Sequence, residues 1–187
     1  MVDTVMSPAV VWLTGLSGAG KSTIASALHR ELGTRGVPVE CLDGDIVRLF
    51  SPTGFSRQDR DAHVRRVGFL ASRLEFHGIT VICALISPYA AARRQVRSLC
   101  RRFIEVHVAT PLAECERRDP KGLYARARRG EISNFTGIDD PYEVPESPTL
   151  VIDTTRLSVD DAVRVILLEL SRPAETQVIG TLRSSEP

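Results

Sequence analysis

The chain has 187 residues, of which 43% are hydrophobic and 25% are charged, with a formal net charge of +1. These values are typical of one globular domain with a substantial core, and a near-neutral charge gives no reason to expect nucleic acid or a membrane surface as a partner. No apolar stretch is long enough to span a bilayer, and residues 1–9 lack the pattern of a signal peptide. The cysteines form no metal-binding or redox motif, so we expect a cytoplasmic protein.

Strand-like and helix-like segments alternate along the chain. The apolar runs predicted as strands are Val10–Thr14, Val39–Leu42, Ile79–Ala84, Phe103–Val108 and Leu150–Ile152. The stretches predicted as helices are Ser22–Gly33, Arg57–His77, Tyr89–Leu99, Leu112–Arg118 and Val159–Leu170. This alternation predicts an α/β fold with a parallel sheet flanked by helices on both faces. We expect one domain over residues 1–171 and a flexible tail over 172–187.

The first predicted strand runs into a glycine-rich loop. Residues 15–22 read Gly-Leu-Ser-Gly-Ala-Gly-Lys-Ser, which matches the phosphate-binding pattern G-x-x-x-x-G-K-[ST]. Such a loop turns backbone N–H groups toward phosphate oxygens, and the helix that follows adds partial positive charge. Lys21 is expected to reach the β- and γ-phosphates, and Ser22 to bind Mg²⁺. The loop therefore predicts a three-layer P-loop NTPase-type fold that binds a nucleoside triphosphate.

Two aspartates follow the second predicted strand. Asp43 and Asp45 suit Mg²⁺ coordination and acceptance of a proton from an attacking hydroxyl; alternatively, Asp45 caps a short helix and Asp43 is a turn residue. Arg48, one helical turn beyond Asp45, suits a substrate phosphate. The third strand ends without an acid, and Ser87 there is expected to contact substrate or to cap the next helix. This pattern favours a small-molecule kinase over a motor or switch NTPase.

Residues 119–148 are rich in proline, glycine and charge and have little periodicity. A long irregular segment of this kind is typical of a mobile lid, here a basic one that neutralises the transferring phosphoryl group, although a solvated basic loop is the alternative. Lys121 and Lys21 are the two lysines of the chain, which indicates a functional role for Lys121. Phe135 is expected either to stack on a nucleobase or to anchor the loop. Arg60 and His63 share a helix face, and a structural role for them stays open.

Together these residues resemble the adenylylsulfate kinase (APS kinase) family, which moves the ATP γ-phosphate to the 3′-hydroxyl of adenylylsulfate. The resemblance covers the chain from about Val10 to about Asp153. Its matching segments are Gly15–Thr23, Leu42–Asp45 with Arg48, Gly54–Ser56 with Asp59-Arg60, Ile86–Tyr89, Cys115–Tyr124, Gly130–Ile132, Phe135–Asp139 and Pro141–Glu143.

The resemblance implies roles for the matching residues. Those implied to bind ATP are Gly15, Ser17, Gly18, Ala19, Gly20, Lys21, Ser22, Thr23 and Arg117. Those implied to bind adenylylsulfate are Asp45, Arg48, Phe55, Arg60, His63, Ile86, Ser87, Lys121, Leu123 and Phe135, with Phe55 and Phe135 enclosing its adenine. The implied catalytic set is Lys21, Asp43, Asp45 and Ser87, with Mg²⁺ on Ser22 and Asp43. We favour direct in-line transfer over a phosphoserine at Ser87, because phosphoryl transfer needs mainly alignment and charge neutralisation.

The family is commonly dimeric, so the resemblance also implies a homodimer, with a sulfate adenylyltransferase as a functional partner. The chain departs from the family's pattern at Ile46, in the short connection 49–53, and at Ala62-His63, which replaces Glu-Asn. These departures leave two alternatives open. One is a kinase of this fold with a different nucleotide-like acceptor. The other is a non-catalytic nucleotide-binding partner of a sulfate adenylyltransferase, which the retained Lys21, Ser22, Asp43 and Asp45 argue against.

Overall fold

A computed structural model describes residues 6–50, 54 and 56–173, apart from the side chains of Asp45, Leu49 and Phe50. The described strands are β1 (Val10–Thr14), β2 (Val39–Asp43), β3 (Thr80–Ala84), β4 (Phe103–Val108) and β5 (Leu150–Ile152). They form one sheet in the order β2-β3-β1-β4-β5, and every neighbouring pair is parallel. The predicted parallel α/β fold is therefore confirmed.

Helices connect the strands and cover both faces of the sheet. They are α1 (Lys21–Thr34), α2 (Gly44–Phe50), α3 (Arg57–Phe76), α4 (Ala90–Leu99), α5 (Leu112–Arg118), α6 (Leu123–Arg128) and α7 (Val159–Leu170). Helix α6 lies within the segment predicted to be irregular, because six residues are too few to display a helical period. From residue 174, the predicted tail lies outside the described residues. In the described ranges, no helix combines the length and the apolar character needed to cross a membrane.

Strand β1 is buried on both faces, which explains its continuous apolar run. Val11 and Leu13 belong to a core cluster shared with α1 and α7. Val10 and Trp12 belong to a second cluster on the opposite face, shared with α3 and α4. The phosphate-binding loop therefore starts from a strand that is enclosed on both faces.

Helices α3 and α4 pack closely because α3 carries a glycine at their contact. A Cβ atom at Gly68 would clash with the Val96 side chain in α4, so only a glycine fits this contact without a shift of Val96 or of the helices. Helix α3 begins at an N-cap, where the Ser56 hydroxyl accepts a hydrogen bond from the Asp59 backbone N–H. The packing and the cap together fix the first turns of α3, which carry Arg60 and His63.

The segment 119–148 is packed against the body of the domain. The Tyr124 hydroxyl donates to the Ser17 carbonyl at 3.0 Å, and the Tyr124 ring meets the Phe135 ring edge to face, with centroids 5.0 Å apart. Asp139 accepts backbone hydrogen bonds from Asn134 and Phe135, which hold the pKa of its carboxyl below the usual range. These contacts place the segment over the carboxyl ends of the strands.

Candidate active site

A cavity of about 390 Å³ opens beyond the carboxyl ends of the central strands, where open α/β sheets bind ligands. The predicted site residues that line it are Ser17, Gly18, Gly20, Lys21, Ser22, Thr23, Asp43, Arg48, Arg60, His63, Ile86, Ser87, Lys121, Leu123 and Phe135. Gly15 and Ala19 belong to the same phosphate-binding loop. Two predicted groups cannot be placed, because the side chain of Asp45 and the whole of Phe55 lie outside the described residues.

The phosphate-binding loop packs against the chain that follows β4. A Cβ atom at Gly15 would lie 2.5 Å from the Val108 carbonyl oxygen, and one at Gly18 would lie 2.9 Å from that of Cys115. Gly18 also has a φ of +73°, in the left-handed region that favours glycine. The spacing of glycines in the motif is thus required by close backbone approaches on this side of the loop.

Lys21 and Asp43 are both held by hydrogen bonds at the phosphate-binding loop. The buried Lys21 ammonium donates to the carbonyl oxygens of Gly15 and Leu16, at 2.9 Å and 2.7 Å. The Ser22 hydroxyl donates to Oδ2 of Asp43 at 2.7 Å, which joins the start of α1 to the end of β2. A cation and a carboxylate are therefore both held beside the loop where a phosphate chain would lie.

The Ser22–Asp43 pair suits a magnesium ion. A hydroxyl and a carboxylate are the hard oxygen ligands that Mg²⁺ prefers, and they lie side by side on the cavity wall. Among the described residues, no group of three or more His, Cys, Asp or Glu side chains is arranged to hold a metal. Mg²⁺ usually binds through one or two protein oxygens plus substrate phosphates, so this small donor set fits an ion that arrives with a nucleotide.

Several basic side chains also line the cavity. Arg60 is buried and donates to the Asn134 carbonyl at 2.6 Å, and burial lowers the pKa of its guanidinium, with Asp140 opposing that shift. His63 is also buried, and its Nε2 atom would lie 3.6 Å from a Cβ placed on Gly44. Arg48 and Lys121 line the same cavity. The arrangement therefore suits an acceptor that carries several negative charges.

Ser87 lies at the turn between β3 and α4 and is almost fully buried. Its hydroxyl accepts a hydrogen bond from the Trp12 indole N–H at 3.0 Å and donates to the Thr14 hydroxyl at 2.9 Å. Thr14 in turn donates to the Ile86 carbonyl at 2.8 Å. Neither Trp12 nor Thr14 is a base, so this network orients the Ser87 hydroxyl without activating it as a nucleophile.

Phe135 both anchors its segment and forms part of the cavity wall. Its side chain is buried against Tyr124, yet it lines the cavity together with Leu123. The two interpretations drawn from the sequence, a loop anchor and an aromatic surface for a nucleobase, are compatible in this geometry.

Two adjacent arginines at the end of α5 point in different directions. The Arg117 side chain is 73% exposed and pairs with Glu114. Arg118 also pairs with Glu114, and in addition it donates to the Thr154 hydroxyl at 2.8 Å and to the Gly18 carbonyl oxygen at 3.5 Å. Sequence reasoning singled out Arg117 for ATP, although the helical spacing of three from the buried Cys115 would have favoured Arg118.

A second cavity, of about 300 Å³, adjoins the phosphate-binding loop. Its lining residues come from α1, from the chain after β5 and from the start of α7: Gly20, Thr23, Ile24, Thr154, Leu157, Ser158, Val159 and Ala162, together with Arg118. Arg118 lines both cavities, so it stands at the point where they meet.

Comparisons with known proteins agree with this geometry. The family described as adenylylsulphate kinase matches residues 7–153. An adenylyl-sulfate kinase from Deinococcus deserti is 52% identical over 167 residues, which cover 88% of this chain and 92% of that protein. One from Synechococcus sp. (strain JA-3-3Ab) is 51% identical over 162 residues, which cover 86% and 92%.

A solved structure shows the same likeness in three dimensions. The structure of the Mycobacterium tuberculosis APS kinase CysC in complex with AMPPNP and APS superposes with a TM-score of 0.84 at 42% identity, covering 89% of this chain and 99% of that one. The match in sequence and in fold leads to one conclusion. The chain belongs to the adenylylsulfate kinase family.

Proposed function

We propose that this enzyme transfers the γ-phosphoryl group of ATP to the 3′-hydroxyl of adenylylsulfate, giving 3′-phosphoadenylylsulfate and ADP. The observation that carries the proposal is one cavity with two chemically different walls. The phosphate-binding loop with the Ser22–Asp43 pair forms one wall, and the basic residues around Arg60 form the other. Donor and acceptor would meet between them, which is the alignment that phosphoryl transfer requires.

On the donor side, the triphosphate would lie along the loop 15–22 with Lys21 at its β- and γ-phosphates. The second cavity would receive the base and ribose of ATP, with Arg118 at its entrance. Ser22 and Asp43 would hold the Mg²⁺ ion, which when bound neutralises charge on the phosphates. The ATP contact of Arg117 stays a prediction that its exposed side chain does not support.

On the acceptor side, Arg48, Arg60 and Lys121 would bind the phosphosulfate, because cations on the cavity wall match its negative charges. The buried Phe135 ring would contact the adenine, and the role of Phe55 stays a prediction. A carboxylate at the junction of β2 and α2, from Asp43 or Asp45, would receive the proton of the 3′-hydroxyl as that hydroxyl attacks.

Transfer would be direct, without a phosphoserine intermediate. The support is the hydrogen bonding of the Ser87 hydroxyl, which accepts a bond from Trp12 and donates one to Thr14. Neither of these two partners is a base. A serine nucleophile needs an adjacent base or a comparable activating group. Ser87 would therefore contact the acceptor and shape the turn.

The test is turnover of purified protein with ATP, Mg²⁺ and micromolar adenylylsulfate, with 3′-phosphoadenylylsulfate separated and quantified. We expect robust turnover, and its loss in Lys21→Met. Phosphorylation of another nucleotide in preference to adenylylsulfate would favour the alternative acceptor suggested by His63, and His63→Asn should then restore adenylylsulfate as the preferred substrate. Nucleotide binding without any turnover would favour the non-catalytic alternative.

We further propose a homodimer, working with a sulfate adenylyltransferase in the cytoplasm. The family resemblance supports the dimer, and the chemistry supports the partner, because such an enzyme forms adenylylsulfate. The free thiols of Cys41, Cys83, Cys100 and Cys115 support a reducing compartment. Sedimentation velocity tests the dimer, and a coupled assay with sulfate and ATP tests the functional partnership.

A further inference from the structure

We infer that Arg93, a buried arginine of α4 outside the motifs described above, is a positioning residue that sets the shape of the adenylylsulfate pocket. The inference rests on the proposed function, because it assigns Arg93 to the acceptor side of that reaction. Arg93 is not a catalytic residue in this scheme. It would act through the Ser87 turn and through the chain around Glu143.

Each of the three nitrogen atoms of the Arg93 guanidinium donates a hydrogen bond to a different part of the fold. The Nε atom donates to Oε1 of Glu105 in β4 at 3.1 Å. One terminal nitrogen donates to the Ser87 carbonyl at 2.7 Å, and the other donates to the Glu143 carbonyl at 2.6 Å. Since Arg93 is only 3% exposed, these bonds form in a medium where each is stronger than in water.

The bond to Ser87 falls on a strained backbone. Ser87 has a φ of +40°, in the left-handed region that costs a residue with a Cβ about 1–2 kcal/mol. Its hydroxyl is held by Trp12 and Thr14, and its carbonyl is held by Arg93. Because Ser87 and its neighbours Ile86 and Pro88 line the cavity, fixing this carbonyl also fixes the wall that faces the acceptor.

The bond from Arg93 to the Glu143 carbonyl joins that wall to the end of the segment 119–148. The Glu143 N–H donates to the Pro88 carbonyl at 2.8 Å, and the Glu143 carboxylate accepts from the Ala90 N–H at 2.7 Å. Arg93 adds a third link from inside the core, and its sequence separation from Glu143 is 50 residues. Arg93 and the two other bonds of Glu143 therefore hold the turn and the segment 119–148 in a single arrangement.

A structural ion pair alone would not require this geometry. Pairing with Glu105 needs one face of the guanidinium, and Arg97 already supplies a second cation to the same carboxylate, at 2.8 Å from Oε2. Buried ion pairs add little net stability over apolar residues of similar size. The two bonds to the carbonyl oxygens of Ser87 and Glu143 are the contacts by which Arg93 would influence the shape of the pocket.

The chain offers a matched pair of arginines for the test. Arg93→Lys keeps the charge beside Glu105 but cannot reach both carbonyls, whereas Arg97→Met removes the partly exposed partner of the same carboxylate. For Arg93→Lys we expect the KM for adenylylsulfate to rise at least about tenfold, the equivalent of one charge-assisted hydrogen bond, with the KM for ATP within about twofold. Arg97→Met should change neither constant beyond about twofold.

A spectroscopic measurement follows the same contact without turnover. Trp12 is the single tryptophan of the chain, and its indole donates to the Ser87 hydroxyl. Loss of the Arg93 bond to Ser87 should therefore shift the Trp12 emission in Arg93→Lys and leave it unchanged in Arg97→Met. If Arg93→Lys fails to fold, the double variant Arg93→Met/Glu105→Leu removes both members of the buried ion pair and permits both measurements.

The results separate the inference from the proposed function. If wild type phosphorylates adenylylsulfate and Arg93→Lys raises both KM values equally, or neither, the positioning role is wrong. An unchanged Trp12 emission in Arg93→Lys would also overturn it. If wild type does not phosphorylate adenylylsulfate, the proposed function fails, and the emission shift still decides whether Arg93 controls the Ser87 turn.

Discussion

Replacement of Arg118 tests where ATP lies in this enzyme. We expect Arg118→Met to weaken ATP binding, and Arg117→Met, one residue away on the same helix, to leave it unchanged. Both arginines pair with Glu114, but Arg118 also bonds to Thr154 and borders both cavities, whereas the Arg117 side chain is largely exposed to solvent. Methionine retains much of the length of the arginine stem, so the substitution removes mainly the charge and the hydrogen bonds.

The size of the effect follows from the exposure of the two side chains. The Arg118 side chain is 27% exposed and the Arg117 side chain 73%. A charge-assisted hydrogen bond from a partly buried guanidinium to a phosphate contributes about 1.5 kcal/mol, so the ATP dissociation constant should rise about tenfold in Arg118→Met. An exposed arginine paired on its own helix contributes about 0.5 kcal/mol or less, a change of about twofold for Arg117→Met.

Calorimetric titration with the non-hydrolysable analogue AMPPNP and Mg²⁺ measures this directly for wild type and both variants. The KM for adenylylsulfate serves as an internal control, since Arg118 should leave it nearly unchanged. Equal loss of ATP affinity in the two variants would refute the reasoning, because long-range charge would then matter more than position. A loss of ATP affinity in Arg117→Met alone would instead support Arg117 as the ATP contact, as predicted from the sequence.

Three further predictions concern the carboxylate beside the loop, the packing of α3 and a buried imidazole. Asp43→Asn should lower kcat by about 10²–10⁴-fold while ATP affinity falls far less, and equal losses in a comparison of turnover with calorimetric binding would argue against a role in the transition state. In denaturant titrations, Gly68→Ala should lower the free energy of unfolding by about 1–3 kcal/mol, because the new Cβ clashes with Val96. The control Gly33→Ala should raise the free energy of unfolding by about 0.5 kcal/mol, because its new Cβ meets open space. Burial, and after it the nearby Arg93, lowers the pKa of His107 below its ordinary value of 6.5. The contribution of the neutral imidazole to stability should therefore be complete above pH 6.5 and be lost as the pH falls from 6.5 through the folded-state pKa. A wild-type profile of stability against pH that runs parallel to the profile of His107→Gln would contradict this prediction.

The strands and the phosphate-binding loop could be predicted from the sequence because their signals are local. Burial on both faces produces unbroken apolar runs such as Val10–Thr14, and the loop glycines are required by contacts within a few ångströms. Each predicted strand agrees with the structure to within one residue at its ends. The expectation that Asp43 faces the loop followed from the rule that parallel strands end at one edge, and its bond to Ser22 agrees with that expectation.

The rest depended on contacts between distant parts of the chain. The segment 119–148 has no periodicity, so its packing through Tyr124 and Phe135 could not be inferred from spacing. Arg93 lies in an arginine-rich helix, and only the folded chain distinguishes it from its exposed neighbour Arg94. Sequence reasoning could collect candidate cations but could not tell which ones point inward.

The strand order has a consequence for how such an enzyme can change. The phosphate-binding loop follows β1, which has neighbours on both sides, whereas Asp43 ends β2, which lies at the margin of the sheet. Alterations in the chain after β2 therefore disturb one strand pairing, while alterations around β1 disturb two and the cores on both faces. Substitutions in the chain that follows β2, which carries Arg48, should therefore be tolerated more readily than substitutions in the phosphate-binding loop.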